Sequence, residues 1–286
     1  MASPGVARPA AGGTAFVLGG GGVLGAAEVG MLQALLERGI RPDLVVGTSI
    51  GAINGALVAA DPTPSTVDRL RRVWEELASQ RVFAGSVLAR VGTLVRTRTH
   101  LHPRGPLRDL LETHLPVPTF AGLAVPFQCV AASIERAAEH WFTEGPLVDA
   151  VLASCAVPGL LPPVEIDGEH YLDGGLVHSI PVGRAVALGA ATVYVLHVGR
   201  IDRPLTVPTR PWEVAQVAFE IARRHRFAAD LAATPPGVTV HVLPAGDGAP
   251  PGTANLRYRD FGGVPARIEQ AAAATRDHLD RIAGGA

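Results

Sequence analysis

Leu44-Val45-Val46-Gly47-Thr48-Ser49-Ile50-Gly51 begins as a short apolar run, passes through a Gly-Thr-Ser-Ile-Gly pentapeptide, and leads into Ala52 to Ala60, which Asp61-Pro62 breaks. Branched apolar residues in so short a run predict a buried strand, and the alanine-rich stretch after Gly51 predicts a helix. The pentapeptide therefore predicts a sharp strand-to-helix turn with a serine at its apex. Flanking glycines suit such a turn, because the strand and helix on either side leave no room for a Cβ.

The pattern extends outward from this turn. Upstream, Thr14 to Leu18 predicts another buried strand, Gly19 to Gly22 a glycine loop, and Ala26, Val29, Leu32, Leu35 and Leu36 a helix that stops at Gly39. Downstream, Ser65 to Ser79 predicts an amphipathic helix with Val67, Leu70, Trp74 and Leu77 on one face and Ser65 and Asp68 at capping spacing. Arg81 to Pro126 is weakly patterned and reads as a lid or cleft wall. Strand character resumes at Phe127 to Ser133, and Leu147 to Ser154 predicts a helix. Asp167-Gly168 predicts a hairpin turn between Val164 to Ile166 and His170 to Leu172. Val193 to Val198 and Thr239 to Leu243 predict strands, and Pro211 to Ala229 and Val264 to Ile282 helices. Strands alternating with helices define an α/β fold, and 286 residues suit one core. The expected organisation is a disordered tail over 1–13 followed by a single domain over 14–286.

Composition narrows the function. A net charge of -1 and the lack of basic tracts argue against nucleic acid as a partner. No apolar run reaches the ~20 residues that cross a bilayer. Cys129 and Cys155, the two cysteines, suit neither a disulfide framework nor a zinc site, and no metal or cofactor is expected. The opening residues lack a charged start and an apolar core of about 7 to 15 residues, so the expected location is cytoplasmic.

A serine hydroxyl is a weak nucleophile and needs a neighbouring base and donors aimed at the developing oxyanion. Ser49 is the candidate nucleophile. Asp173-Gly174-Gly175 offers a carboxylate on a tight turn, whereas among the ten histidines His178 is the nearest base candidate and none has the spacing of a triad. The glycine loop supports two readings. Gly20-Gly21-Gly22-Val23-Leu24-Gly25 fits a dinucleotide fingerprint, and it also fits an oxyanion hole built from backbone amides at a helix start. A nucleotide site wants an acidic residue after the second strand, but Asp43 precedes that strand and the serine turn follows it. The hydrolase reading is the stronger.

These motifs, in this order, resemble the patatin-like phospholipase family. Gly20 to Gly25 is similar to its oxyanion loop, Gly47 to Gly51 to its nucleophile elbow, and Asp173-Gly174-Gly175 to its aspartate motif. Ala153-Ser154-Cys155-Ala156-Val157-Pro158, Pro162-Pro163 and Ile180-Pro181-Val182 also resemble family segments. The resemblance implies a mostly parallel central sheet flanked by helices and a lipid ester as substrate. It implies a catalytic pair of Ser49 and Asp173, an oxyanion hole at Gly20, Gly21 and Gly22, and supporting glycines Gly25, Gly47, Gly51, Gly174 and Gly175. Leu24 stands where many relatives carry Arg or Lys, and His178-Ser179 where asparagine is common. An acyltransferase using the same pair, a nucleotide-binding oxidoreductase and a non-catalytic lipid-binding module are the alternatives. Trp212, Val214, Val217, Phe219 and Ile221, followed by Arg223-Arg224-His225-Arg226-Phe227, suggest peripheral contact with an anionic membrane.

Overall fold

The computed structural model describes residues 12–79, 100–199, 201, 204–246, 261 and 263–284; for residues 211, 212, 215 and 216 it describes the backbone alone. Among the described residues eight strands form one sheet: β1 (Thr14–Leu18), β2 (Leu44–Thr48), β3 (Phe127–Ser133), β4 (Ala138–Phe142), β5 (Val164–Ile166), β6 (Glu169–Asp173), β7 (Thr192–Leu196) and β8 (Thr239–Val242). The path runs β5-β6-β3-β2-β1-β7-β8, with β4 paired to β3. β3, β2, β1, β7 and β8 run parallel to one another, whereas β4 and β6 are each antiparallel to β3 and β5 is antiparallel to β6. The fold is thus the expected α/β arrangement with a mostly parallel sheet.

Alternation along the strands divides the core between two faces. Phe16, Leu18 and Val45 point toward α1 (Ala26–Glu37), α2 (Ile50–Ala60), α3 (Ser65–Ala78), α4 (Gly105–His114), α5 (Leu147–Ser154) and α8 (Val264–Gly284). Ala15, Val17, Leu44 and Val46 point to the other face, toward α6 (Val182–Ala187) and Phe227 of α7 (Pro211–Ala232). α1 and α2 are apolar nearly all round because they are enclosed on all sides, whereas α3 buries only a stripe. At the centre of α1, a methyl built on Gly30 would fall 2.1 Å from the Ile268 carbonyl oxygen, so α8 crosses there at backbone contact.

Several local expectations are refined. The Ser65 hydroxyl does not cap α3; it turns back to Asp61 Oδ2 at 2.5 Å. Asp167 and Gly168 both have positive φ, the conformation of a tight two-residue hairpin turn. In the weakly patterned region, residues 81–99 lie outside the described residues, but Leu107, Leu110 and Leu111 are the buried stripe of α4. Of the expected tail, residues 1–11 lie outside the described residues, while the Gly13 carbonyl accepts from the Ala191 amide and so belongs to the folded part. No described helix is long and apolar enough to cross a membrane.

Candidate active site

β3 brings the two key residues together. β4 fills one edge of β3 from Cys129 to Ser133, so β2 and β6 share the other edge. They meet tip to tip: Thr48, the end of β2, pairs with Val130, and Asp173, the end of β6, pairs with the adjacent Ala131. The residue after Thr48 is Ser49. Two side chains 124 positions apart in sequence are thereby forced onto neighbouring rungs.

Ser49 Oγ donates to Asp173 Oδ2 at 2.5 Å, and the two residues are only 8% and 5% exposed. The other carboxylate oxygen accepts from the Gly175 amide at 2.7 Å. Burial pushes the Asp173 carboxyl up to about 6, against the opposing pull of the hydrogen bonds from Ser49 and Gly175. His178 does not reach the serine. Its ring faces Glu139 at 3.2 Å and Asp230 at 3.9 Å, while its backbone carbonyl accepts from the Thr48 hydroxyl at 2.8 Å.

Ser49 adopts φ 55° and ψ -125°, a conformation that costs a non-glycine residue about 1–3 kcal/mol and is held by its surroundings. The glycines of the turn allow the approach. A methyl on Gly51 would lie 2.4 Å from the Leu18 carbonyl oxygen, and one on Gly47 would lie 2.6 Å from that of Gly51. Gly25 abuts the Ile50 side chain, Gly174 abuts the Val130 carbonyl, and Gly175 lies beneath the Phe219 ring.

The three loop amides differ in availability. Gly20 N–H donates to the Ser179 carbonyl at 2.9 Å, as Gly19 N–H does to that of Leu196. The amide of Gly20 thus fastens the loop to the segment after Asp173. Among the described residues the amides of Gly21 and Gly22, which begin the 3₁₀ turn Gly22–Gly25 ahead of α1, have no protein acceptor. Asp43 sits at the opposite end of the sheet, where its Oδ2 accepts from the Thr14 amide at 2.7 Å. It is therefore unable to hold a ribose beside the glycine loop. Among the described residues no group of three or more His, Cys, Asp or Glu forms a metal site.

The basic end of α7 is partly enclosed, with His225 and Arg226 exposed and the residues on either side of Arg224 to Arg226 turned inward. Arg223 is buried, donates to the Val198 carbonyl at 2.5 Å and pairs with Glu220, and Phe227 is in the core. Val214 and Ile221 do face outward, 54% and 56% exposed. The side chain of Trp212 lies outside the described residues.

Sequence reading gave no role to Ser154, which is fully buried and whose Oγ accepts from the Ser49 amide at 2.9 Å. The signal was present in the Ala153 to Pro158 segment, but the contact depends on how α5 docks on β3.

A mostly parallel α/β sheet with a strained serine at a strand-to-helix turn, beside a glycine loop, is an architecture of ester hydrolases. The chain matches the family model of the patatin-like phospholipases over residues 16–186, and it belongs to that family. It is 36% identical over 188 residues to a lysophospholipase NTE1 of Mycosarcoma maydis, covering 65% of this chain and 10% of that protein. It is 34% identical over 190 residues to patatin-like phospholipase domain-containing protein 6 of Mus musculus, covering 66% and 14%. The chain thus spans a small part of the length of these relatives. The solved structure of VipD from Legionella pneumophila aligns over 96% of this chain and 68% of its own, with 15% identity and a TM-score of 0.47.

Proposed function

We propose that the protein hydrolyses acyl esters of lipids, whether phospholipid, lysophospholipid or neutral ester, through an acyl-enzyme on Ser49 with Asp173 as base. The observation that carries this reading is the buried 2.5 Å hydrogen bond between the Ser49 hydroxyl and the Asp173 carboxylate. Ser49 Oγ attacks the ester carbonyl and its proton passes to Asp173 Oδ2. The amides of Gly21 and Gly22 receive the oxyanion, in a site where burial makes such donors strong. When the intermediate collapses, the leaving alcohol takes the proton from Asp173. Water then attacks the acyl-enzyme, again giving a proton to Asp173, and Ser49 recovers its own as the fatty acid leaves.

An ordinary aspartate, with a pKa of about 3.9, is a poor base. At about 6, Asp173 is a better proton acceptor and is still ionised at neutral pH. Substrate delivery by a lipid surface fits the exposed apolar side chains at this turn, where Phe219 covers Gly175 and Leu176 follows it in the chain.

A fluorophosphonate probe with adduct mapping by mass spectrometry tests the reading. Labelling at Ser49, lost in Ser49→Ala, is expected; labelling elsewhere, or none, would sink it. Hydrolysis of a labelled ester with and without added lysolipid then separates water from an alcohol as the acyl acceptor.

A further inference from the structure

Ala153 to Pro158 stood out in the sequence, yet none of its side chains takes part in the chemistry above. We propose that Ser154 is a positioning residue that sets the reach between Ser49 and Asp173, an inference that rests on Ser49 being the nucleophile. Ser154 closes α5 and its side chain is inaccessible to solvent. Its hydroxyl donates to the Val130 carbonyl at 2.7 Å and accepts from the Ser49 amide at 2.9 Å.

Both partners need it. The β2–β3 ladder ends at the pair of Thr48 with Val130, so the Ser49 amide lies past its last rung and donates to Ser154 instead. On β3 the next pair, Ala131 with Asp173, belongs to β6. The Val130 carbonyl therefore lies at the junction where one strand partner ends and the other begins, with Gly174 packed against it. A buried amide and a buried carbonyl at this gap would each lack a partner, and one hydroxyl supplies both.

The same short segment also grips the base. Two residues beyond Ser154, the Ala156 carbonyl accepts from the Asp173 amide at 3.0 Å. Residues 154–156 thus hold the backbone of Ser49 through a side chain and that of Asp173 through the main chain. So short a piece of chain has almost no slack, and it fixes the two amides relative to each other. Cys155, between them, does not compete as a nucleophile: burial, and then the nearby Asp173 carboxylate, raise its thiol well above the ordinary range and keep it protonated. Ser154 does not compete either, because its proton is committed to Val130.

Without the hydroxyl the strained turn relaxes and Ser49 Oγ moves away from Asp173; a displacement near 1 Å lowers turnover by about 100-fold. The hydrogen bond from Ser49 is also one of the contacts that lower the Asp173 pKa, so lengthening it moves the acid limb of the rate profile upward.

The test compares the unaltered chain with Ser154→Ala, Ser154→Cys and Ser154→Thr, using p-nitrophenyl butyrate hydrolysis, fluorophosphonate labelling across pH, and thermal unfolding. Expected for Ser154→Ala are a fall in kcat of about 100-fold, little change in KM, and an acid limb displaced to higher pH. Ser154→Thr, which restores the hydroxyl, regains most of the lost kcat, and Ser154→Cys falls between. Should the alanine variant not fold, the cysteine variant carries the same comparison. Wild-type kcat in Ser154→Ala overturns the proposal, and so does a fall in kcat with an unmoved acid limb. Failure of the unaltered chain to label at Ser49 overturns the nucleophile assignment itself, whereas normal labelling in both chains defeats the positioning role alone.

Discussion

The Gly175 amide holds Asp173 Oδ1 at 2.7 Å, so the turn that carries the carboxylate also fixes its rotation and leaves Oδ2 to Ser49. A base so oriented must be ionised to accept a proton, and burial has raised its pKa to about 6. Activity is therefore expected to fall as pH drops through about 6, along a single ionisation. A kcat/KM profile for a soluble ester from pH 4 to 9 reads this directly; full activity at pH 4.5 would remove Asp173 as the base.

The same shift has a stability consequence of opposite sense. Because the folded-state pKa lies above the unfolded value of 3.8, the native state holds its proton longer, and stability falls as pH rises from about 4 to about 6. Asn mimics the protonated acid, accepting from the Gly175 amide and facing the Ser49 hydroxyl with an NH₂. Asp173→Asn is thus expected to be inactive and yet more stable than the unaltered chain at pH 8, by at most about 3 kcal/mol. The advantage should vanish below pH 4. Thermal unfolding midpoints of both proteins across this range check it, and an equal midpoint at pH 8 contradicts the burial argument.

Gly51 should tolerate no side chain. Its missing Cβ would fall 2.4 Å from the Leu18 carbonyl oxygen, which belongs to the sheet backbone and is not free to yield. Gly51→Ala is expected to lose about 3 kcal/mol or to fail to fold. Gly145→Ala, at a position with open space but positive φ, should lose about 1 kcal/mol. Urea unfolding of the two variants makes the comparison.

Charge substitutions on α7 should separate surface from core. Arg223→Glu removes a buried cation that donates to the Val198 carbonyl and places a second acid beside Glu220, so a loss of about 3 kcal/mol is expected. Ile221→Glu alters an outward-facing apolar residue. It should leave stability and soluble-ester turnover unchanged while weakening recovery with anionic liposomes in flotation. Unchanged flotation would argue against α7 as the contact.

What could be read from the sequence follows from where the information lies. β1, β2 and β3 were legible because strands of a parallel sheet covered on both faces are continuous apolar runs. β4 was missed because Ala138 and Glu139 are exposed and the run Ala138 to Phe142 reads as a loop. α4 was missed because only Leu107, Leu110 and Leu111 mark its buried face. At the site, Ser49 and Asp173 could be singled out because glycine-flanked turns are local features. The commitment of the Gly20 amide to Ser179 and the contact of Ser154 with the Ser49 amide arise from strand register and helix docking, which no local window contains.

The close crossing at Gly30 seats one face of α8 in the core. The family match ends at residue 186, but a polypeptide cut there would lose β7, the hydrogen-bonded neighbour of β1, and would uncover the side of α1 that α8 now shields. It would display a bare row of amides and carbonyls next to a greasy helix, a combination that favours self-association over a smaller working enzyme.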